Sequence, residues 1–298
     1  MPLTGIYEPS AVLQLADGLF LIAEDEPAHP LSLVRIGASG RVRSSALRAG
    51  LLQYFSPFWP LNDLEGLALG QSGFVYGITS HSRNDEGRVV KAREKLVRFR
   101  VDGDKLVDRN VTTGLKRSLT AKFAVLAAAA KIRDVKNAGG LNVEGLEISP
   151  DQRRLLIGFR SPLQDGCAIV ASIDNLAGIF DGDEAPRVCD DLDLLDLDGH
   201  GIRSLSYLPS LGGYLVIAGS DSRKQAPFRL WFWSGGTGAK ARPVTVSGVA
   251  NILHAEGVSP ATIDGAERIL IVSDDGDRDK RRSAHFLLLD PAHIRIAS

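Results

Sequence analysis

The sequence predicts an all-β protein, a β-propeller with five four-stranded blades; six blades are the alternative. Three observations lead to this prediction: one pattern occurs five times, its segments have strand composition, and the repeats account for the whole chain of 298 residues. The repeats begin at residues 8, 65, 144, 203 and 256. A period of this length is typical of propellers and solenoids. We expect residues 1–298 to form one propeller domain.

Each repeat starts with Glu followed by Gly, or with a variant of that pair. The starting residues are Glu8, Glu65, Glu144, Arg203 and Glu256. Pro9 replaces the Gly in the first repeat, and an arginine replaces the Glu in the fourth. After each start come an apolar run, a turn rich in Gly, Asp, Ser or Pro, and a second apolar run, which predicts a hairpin.

The second apolar runs are GLFLIAE, FVYGIT, RLLIGF, GYLVIAG and RILIVS. Their Ile, Val, Leu and aromatic content is typical of buried central strands. A further strand-like run and a more polar run follow, for example KLVRFRV and KLVDRNVT in the second repeat. Four antiparallel strands per unit make a propeller blade. Two stacked β-sandwiches are the alternative, but a sandwich gives no reason for repeated hairpins with the same residues at both ends.

One connection between repeats has helical composition. The segment from Ser118 to Lys136 predicts a helical insertion between blades 2 and 3, with Ser118 as the N-cap and Gly139–Gly140 as the stop.

The composition argues against several classes of partner. The chain has 35 Lys and Arg against 36 Asp and Glu, a formal net charge of −1, and so lacks the positive excess of nucleic-acid-binding proteins. No apolar run approaches the roughly 20 residues that cross a bilayer, so we expect no membrane partner. The first residues do not resemble a secretory signal, and Cys167 and Cys189 fit neither a metal spacing nor a disulfide scaffold. We therefore expect a cytoplasmic protein.

In a propeller, the inner strands of all blades begin on one face, around the central channel. The geometry predicts that Glu8, Glu65, Glu144 and Glu256 surround the channel mouth together with Arg203. Several carboxylates in one small channel repel one another, so they either hold protons or recruit a cation. We expect calcium or magnesium, bound by the four Glu residues, as one solution. The alternative is an ion-pair network with arginines.

Polar clusters follow the second strands and should lie around the same mouth. They are Glu24–Asp25–Glu26, Ser80–His81–Ser82–Arg83, Arg160–Ser161–Pro162, Ser220–Asp221–Ser222 and Ser273–Asp274–Asp275. We expect Arg83, Arg160 and Arg203 to bind an anionic group by paired hydrogen bonds, with Ser80 and Asp274 as further ligand-binding residues.

Candidates for catalysis are few. His81 lies between two serines at a strand end and could act as a general base near neutral pH, although an ordinary hydrogen-bonding role is the alternative. The sequence contains no GxSxG elbow, P-loop, HExxH or dinucleotide-binding glycine motif.

Several motifs together resemble an uncharacterised bacterial family, a domain of unknown function. These motifs are EPSA, DLEGLA, ITSHSR, NVEGL, GFRSP, GIRSL, AEGV and VSDDGD. More distantly, the EGL strand starts resemble esterase-like phytase and gluconolactonase-type propellers. The distant resemblance implies acidic, often metal-binding residues at one mouth.

Two functions from different classes follow from these expectations. The first is a binding protein that takes an anionic small molecule or a protein segment at the channel mouth. The alternative is a metal-dependent hydrolase of a phosphoester or lactone, in which the metal lowers the pKa of its bound water and His81 moves the proton.

Overall fold

Five antiparallel sheets follow one another along the chain and surround a common axis. The computed structural model describes residues 1–25, 28–47, 56–219, 228–249, 252 and 254–297. Each sheet is a meander whose first strand lies innermost, and the inner strand of every blade contacts the inner strands of the two neighbouring blades. The prediction of a five-bladed propeller is confirmed.

The first three blades each have four strands in chain order. Blade 1 contains β1 (Pro9–Ala16), β2 (Leu19–Glu24), β3 (Leu31–Ile36) and β4 (Val42–Ala46). Blade 2 contains β5 (Leu64–Leu69), β6 (Val75–Thr79), β7 (Leu96–Asp102) and β8 (Lys105–Thr112). Blade 3 contains β9 (Asn142–Ile148), β10 (Leu155–Ser161), β11 (Ala168–Ile173) and β12 (Asp193–Leu195).

In the last two blades, the final strand of the chain joins blade 4 instead of blade 5. Blade 4 contains β13 (Gly201–Leu208), β14 (Gly213–Gly219), β15 (Arg229–Trp233) and β16 (Arg242–Val246). Blade 5 contains β17 (Ala255–Ile263), β18 (Ala266–Ser273) and β19 (His285–Leu289). The final strand, β20 (Ile294–Ile296), pairs with β16 at the outer edge of blade 4 instead of completing blade 5.

The beginning of the chain covers the outer edge of blade 5. Met1 and Phe286 exchange backbone hydrogen bonds of 2.8 and 2.9 Å, and the Leu3 N–H donates to the Ala284 carbonyl at 2.7 Å. Residues 1–3 therefore take the place of the fourth strand of blade 5, immediately before the chain enters blade 1. This pairing closes the ring and removes an open sheet edge.

Buried apolar side chains fill all five interfaces between blades. Strand β2 shows why the second strands are apolar throughout. Leu21 and Ala23 belong to the cluster shared with blade 2, whereas Phe20 and Ile22 belong to the cluster shared with blade 5. Because both faces of a blade pack on a neighbour, a central strand has no solvent face and does not alternate with polar residues.

The helical insertion between blades 2 and 3 is present, with different boundaries. It consists of α1 (Leu115–Lys122), α2 (Ala124–Ala129) and α3 (Val135–Ala138). Ser118 lies inside α1 and is not its N-cap, which is Gly114. Gly139 ends α3 in the left-handed region with φ 69°, as predicted. A further helix, α4 (Leu176–Asp181), lies in blade 3 between β11 and β12.

Short 3₁₀ turns occupy Lys91–Arg93, Pro209–Leu211 and Pro291–His293. No helix within the described ranges combines the length and the apolar composition needed to cross a membrane.

We expect Leu3→Ala to lower the free energy of unfolding by about 2–5 kcal/mol. Leu3 is fully buried in the apolar cluster between blades 5 and 1, so the substitution leaves a cavity at the ring closure. Urea unfolding followed by tryptophan fluorescence measures the change. Thr4→Ala, next in the chain and exposed, should stay within about 0.5 kcal/mol of the wild type. A loss in Leu3→Ala as small as that expected for Thr4→Ala would show that the packing of Leu3 at the ring closure contributes nothing to stability.

Candidate functional site

A cavity of about 520 Å³ opens at the centre of the ring, where the inner strands begin. We call it the mouth cavity. All four predicted metal ligands and the predicted arginine of the ring line it: Glu8, Glu65, Glu144, Glu256 and Arg203. In total, nine carboxylate residues and five arginines are among its lining residues. The repeats therefore bring charges from distant parts of the sequence to one surface.

A β-bulge presents the key side chain of each repeat. The register between the first and second strands shifts at Glu65, Glu144, Arg203 and Glu256, which are left without a partner on the second strand. A bulge redirects a side chain and interrupts the ladder. Four blades thus use the same local device to turn a charged side chain into the cavity.

Blade 1 departs from the predicted alignment. Its bulge falls between Pro9 and Ala11, so Ser10 is the unpaired residue and Glu8 lies two positions earlier. The carbonyl of Glu8 accepts a hydrogen bond from the Asp25 N–H, as the carbonyl of Asp63 does from Ser80. The predicted equivalence of Glu8 with Glu65 is therefore wrong by two residues. Glu8 corresponds structurally to Asp63 and still lines the cavity.

Two arginines neutralise two of the glutamates. Arg160 Nη1 donates to Glu144 Oε1 at 2.9 Å. Arg203 Nη1 lies 3.2 Å from Glu144 Oε2 and 3.2 Å from Glu256 Oε1, so it bridges blades 3 and 5. Glu144 and Arg203 are buried. The predicted alternative, an ion-pair network, is present for this half of the ring.

Gly201 allows this network to be compact. A Cβ at this position would lie 1.9 Å from the carbonyl oxygen of Arg160. Any other residue would push β13 away from the end of β10, and so separate Arg203 from Glu144.

Asp63 is a second anchored carboxylate, which was not among the residues predicted from the sequence. Its Oδ2 lies 3.0 Å from Arg93 Nη1 and accepts hydrogen bonds from the hydroxyls of Ser80 and Ser82. Asp63 has φ 62°, a left-handed conformation that Asp tolerates better than most residues. The signal that could have identified it is its position two residues before Glu65, where the first strand enters the mouth.

Carboxyl groups in the cavity hold protons to different degrees. Burial, together with the negative charges of Asp63, Glu144, Asp25 and Glu256, raises the pKa of Glu65 well above its usual range. Burial raises the pKa of Glu256 to about 8, although Arg203 opposes the shift. Burial and nearby carboxylates raise the pKa of Asp25 and of Asp274 to about 6. The raised pKa values favour the protonated forms of Glu65 and Glu256 near neutral pH.

The remaining predicted residues fall into two groups. Arg83 lines the rim of the cavity and donates to the carbonyls of Ala130 and Gly87, and Asp274 lines the wall. Ser80 and His81 are fully buried and are not among the lining residues. The hydroxyl of Ser80 donates a hydrogen bond to Asp63 and so holds that carboxylate in place.

A general base for a ligand in the mouth cavity would have to reach that cavity. His81 does not line it. Its Nδ1 lies 2.8 Å from the Thr79 carbonyl, and burial lowers its pKa to about 4. Glu26 and the predicted cluster at 220–222 lie outside the described residues.

The described part of the chain contains no group of three or more His, Cys, Asp or Glu side chains placed to hold a metal ion. The calcium or magnesium site expected from the sequence stays a prediction.

Asn142, Asp25 and Arg93 also line the cavity, and the sequence patterns did not single them out as ligands.

The chain belongs to the family DUF3616, described as "Protein of unknown function", whose model matches residues 124–290. The predicted resemblance to an uncharacterised family is confirmed. No curated protein matches the sequence.

Solved structures are similar to this chain at low sequence identity. The GH43 protein BlXynB from Bacillus licheniformis matches 99% of this chain and 55% of its own, with 10% identity and a TM-score of 0.51. The periplasmic gluconolactonase PpgL from Pseudomonas aeruginosa matches 91% and 67%, with 12% identity and a TM-score of 0.38. The chain thus spans about half the length of BlXynB, and the similarity concerns the fold alone.

We expect Arg203→Met to destabilise the protein by about 3–5 kcal/mol, because it removes the cation that the buried Glu144 shares with the partly buried Glu256. Chemical denaturation at pH 7.5 measures the loss. Adding Glu256→Gln should recover part of it. The matched control is Arg229→Met, which breaks an exposed ion pair with Asp198 and should cost less than about 1 kcal/mol. A loss in Arg203→Met no larger than in this control would contradict the network.

We expect the free energy of unfolding to fall by about 1–2 kcal/mol between pH 6.5 and 8.5 through Glu256 alone. A carboxyl group that keeps its proton only in the folded state stabilises the fold at low pH. That contribution disappears as the pH rises through the folded-state pKa, which is about 8 for Glu256. Burial raises the pKa of Glu147 to about 7, which adds to the decline.

Urea unfolding at several pH values measures this slope, and Glu256→Gln should flatten it. His81, whose lowered pKa has the opposite effect on stability, acts mainly below pH 6.5. A free energy of unfolding that rises between pH 6.5 and 8.5 would contradict the proposed protonation of Glu256.

Proposed function

We propose that this member of the DUF3616 family binds a small polar molecule in the mouth cavity. The observation that carries the proposal is a cavity of about 520 Å³ whose lining includes both carboxylates and arginines. Binding sites for small molecules commonly have volumes of roughly 300–1,000 Å³, and charged groups in them select the ligand. Charges of both signs favour a polar ligand with hydrogen-bonding groups at both ends.

The arginines support an anionic group at the rim. Arg160 and Arg203 already contact Glu144, so they carry less unbalanced positive charge than the sequence predicts. Arg83 donates hydrogen bonds to two backbone carbonyls, and these neutral groups do not balance its positive charge. Arg133 also lines the cavity and has no ion-pair partner among the described residues. An anionic part of the ligand, or an acidic side chain of a partner segment, would therefore bind near Arg83 and Arg133.

The floor of the cavity has the opposite character. Carboxylates outnumber arginines in the lining, and burial with like charges holds protons on Glu65 and Glu256. A fully anionic ligand would meet net repulsion there. The proposal is thus a molecule that places its anionic group at the rim and other polar groups on the floor.

Hydrolysis of a phosphoester or lactone is the second candidate. Its support is that the pKa of Glu256 is about 8 and that of Asp274 about 6, so near pH 7 one holds a proton and the other has lost it. Carboxyl groups whose pKa values differ in this way can act as general acid and general base. A metal would supply Lewis-acid chemistry if it bound at this mouth.

We expect a thermal-shift screen of polar metabolites carrying phosphate or carboxylate groups to yield compounds that raise the Tm of the wild type in a saturable manner. Arg83→Gln should weaken their binding about tenfold or more, since a hydrogen bond to a charged group is lost. Glu267→Gln, an exposed carboxylate on β18, is the control and should bind normally. The absence of any compound sensitive to Arg83→Gln would overturn the anion-binding part of the proposal.

The same proteins test turnover on phosphoester and lactone panels, with calcium, magnesium or a chelator. Activity lost in Glu256→Gln and kept in Glu267→Gln would support hydrolysis. Binding without turnover under all these conditions would leave the binding function alone.

A further inference from the structure

Three hydrogen-bond acceptors in the mouth cavity have no donor within the described part of the chain. They are the free carboxylate oxygen of Asp63, the carboxyl group of Glu65 and the amide oxygen of Asn142. The side-chain hydrogen bonds and the ion pair of Asp63 all use Oδ2, which leaves Oδ1 without a donor. Asn142 is 8% exposed, and its Oδ1 is buried without a hydrogen-bond partner. A buried acceptor without a donor costs about 1–3 kcal/mol.

The orientation of Asn142 follows from its other contact. Its Nδ2 donates to Glu144 Oε1 at 3.0 Å, and a carboxylate oxygen bound to Arg160 requires a donor. The amide nitrogen therefore faces Glu144, and the oxygen is the end that lacks a partner.

The backbone brings these three residues together between blades 2 and 3. Strand β5, which carries Glu65, packs beside β9, which begins at Asn142. The N–H of Val143 donates to the Ser80 carbonyl at 2.8 Å, and the hydroxyl of Ser80 binds Asp63. Asp63, Glu65 and Asn142 all line the mouth cavity.

This set of acceptors selects a donor with positive charge. A primary ammonium group has three N–H donors, and carboxylates balance its charge. A calcium ion needs roughly six to eight oxygen ligands at about 2.3–2.6 Å. Among the described residues no three His, Cys, Asp or Glu side chains are grouped to hold a metal ion, and both oxygens of Glu144 already accept hydrogen bonds from arginines. The acceptors therefore fit an ammonium group better than a metal ion.

We propose that the ligand of the mouth cavity carries a primary ammonium group, which donates hydrogen bonds to Asp63, Glu65 and Asn142. This inference rests on the proposed function and specifies its ligand as an amine. With an anionic group at Arg83 and Arg133, the ligand is a small zwitterion: its ammonium group binds the floor and its anionic group the rim.

Methylammonium chloride is the minimal probe, and tetramethylammonium chloride is its matched control, because it has the same charge and no N–H donor. At equal ionic strength, we expect methylammonium to raise the Tm of the wild type in a saturable manner and tetramethylammonium to have no such effect. Glu65→Gln cannot balance the ammonium charge, and Asn142→Leu lacks the acceptor. Binding of the ammonium group favours release of the Glu65 proton, because the cation then balances the Glu65 carboxylate. Each variant should weaken binding at least about tenfold.

Glu267→Gln should bind methylammonium like the wild type. Glu65→Gln removes one of several mutually repelling carboxyl groups, so we expect this variant to fold. The test therefore remains valid even if Asn142→Leu does not fold. An equal response to both ammonium salts, or none to methylammonium, overturns the inference. A saturable response to calcium or magnesium chloride that Glu65→Gln abolishes also overturns it and assigns a metal.

The outcomes separate the two proposals. A polar metabolite that binds through Arg83 while methylammonium has no effect leaves the proposed function intact and rejects the ammonium group. Failure of both the metabolite screen and the methylammonium titration rejects the proposed function itself.

Discussion

The structure depends on sheets that are apolar on both faces. A blade whose second strand presents Phe20 and Ile22 to one side and Leu21 and Ala23 to the other must be covered by a neighbour on each side. A ring meets this requirement for every blade without leaving a terminal face exposed. The requirement also explains how the ring closes around blade 5: residues 1–3 pair with β19, and β20 pairs with β16. The two ends of the chain thereby join blade 5 to blades 1 and 4.

Closure of the ring also concentrates charge. Inner strands that begin around one axis bring their first side chains together, and a bulge in each of blades 2 to 5 turns a charged one toward the axis. Two means of compensation operate on this charge. On the side of blades 3 to 5, Arg160 and Arg203 pair with glutamates. On the side of blade 2, Arg93 pairs with Asp63, whereas burial and nearby carboxylates raise the pKa of Glu65 well above its usual range.

This asymmetry gives the mouth cavity its chemical character. On one side, Arg160 and Arg203 bind Glu144 and Glu256 in an ion-pair network. The other side presents acceptors without donors among the described residues, next to a fixed carboxylate. A ligand that supplies the missing donors would complete the hydrogen bonding of the floor. The acid and base assignment of Glu256 and Asp274 concerns a different wall of the cavity, in blade 5, so binding and turnover can be tested with separate substitutions.

The sequence by itself determined the propeller architecture, with five blades predicted and six as the alternative. It also determined the burial of the second strands and the gathering of Glu65, Glu144, Arg203 and Glu256 at one mouth, because these follow from repeat spacing and local composition. Only the tertiary structure decided which residue bulges in blade 1, where Ser10 and not Glu8 takes the position. It also decided that Arg203 bridges two glutamates, that His81 is buried away from the cavity, and that Asp63 and Asn142 belong to the site. Ion pairs such as those of Arg203 with Glu144 and Glu256 join residues far apart in the chain, and no local pattern encodes them.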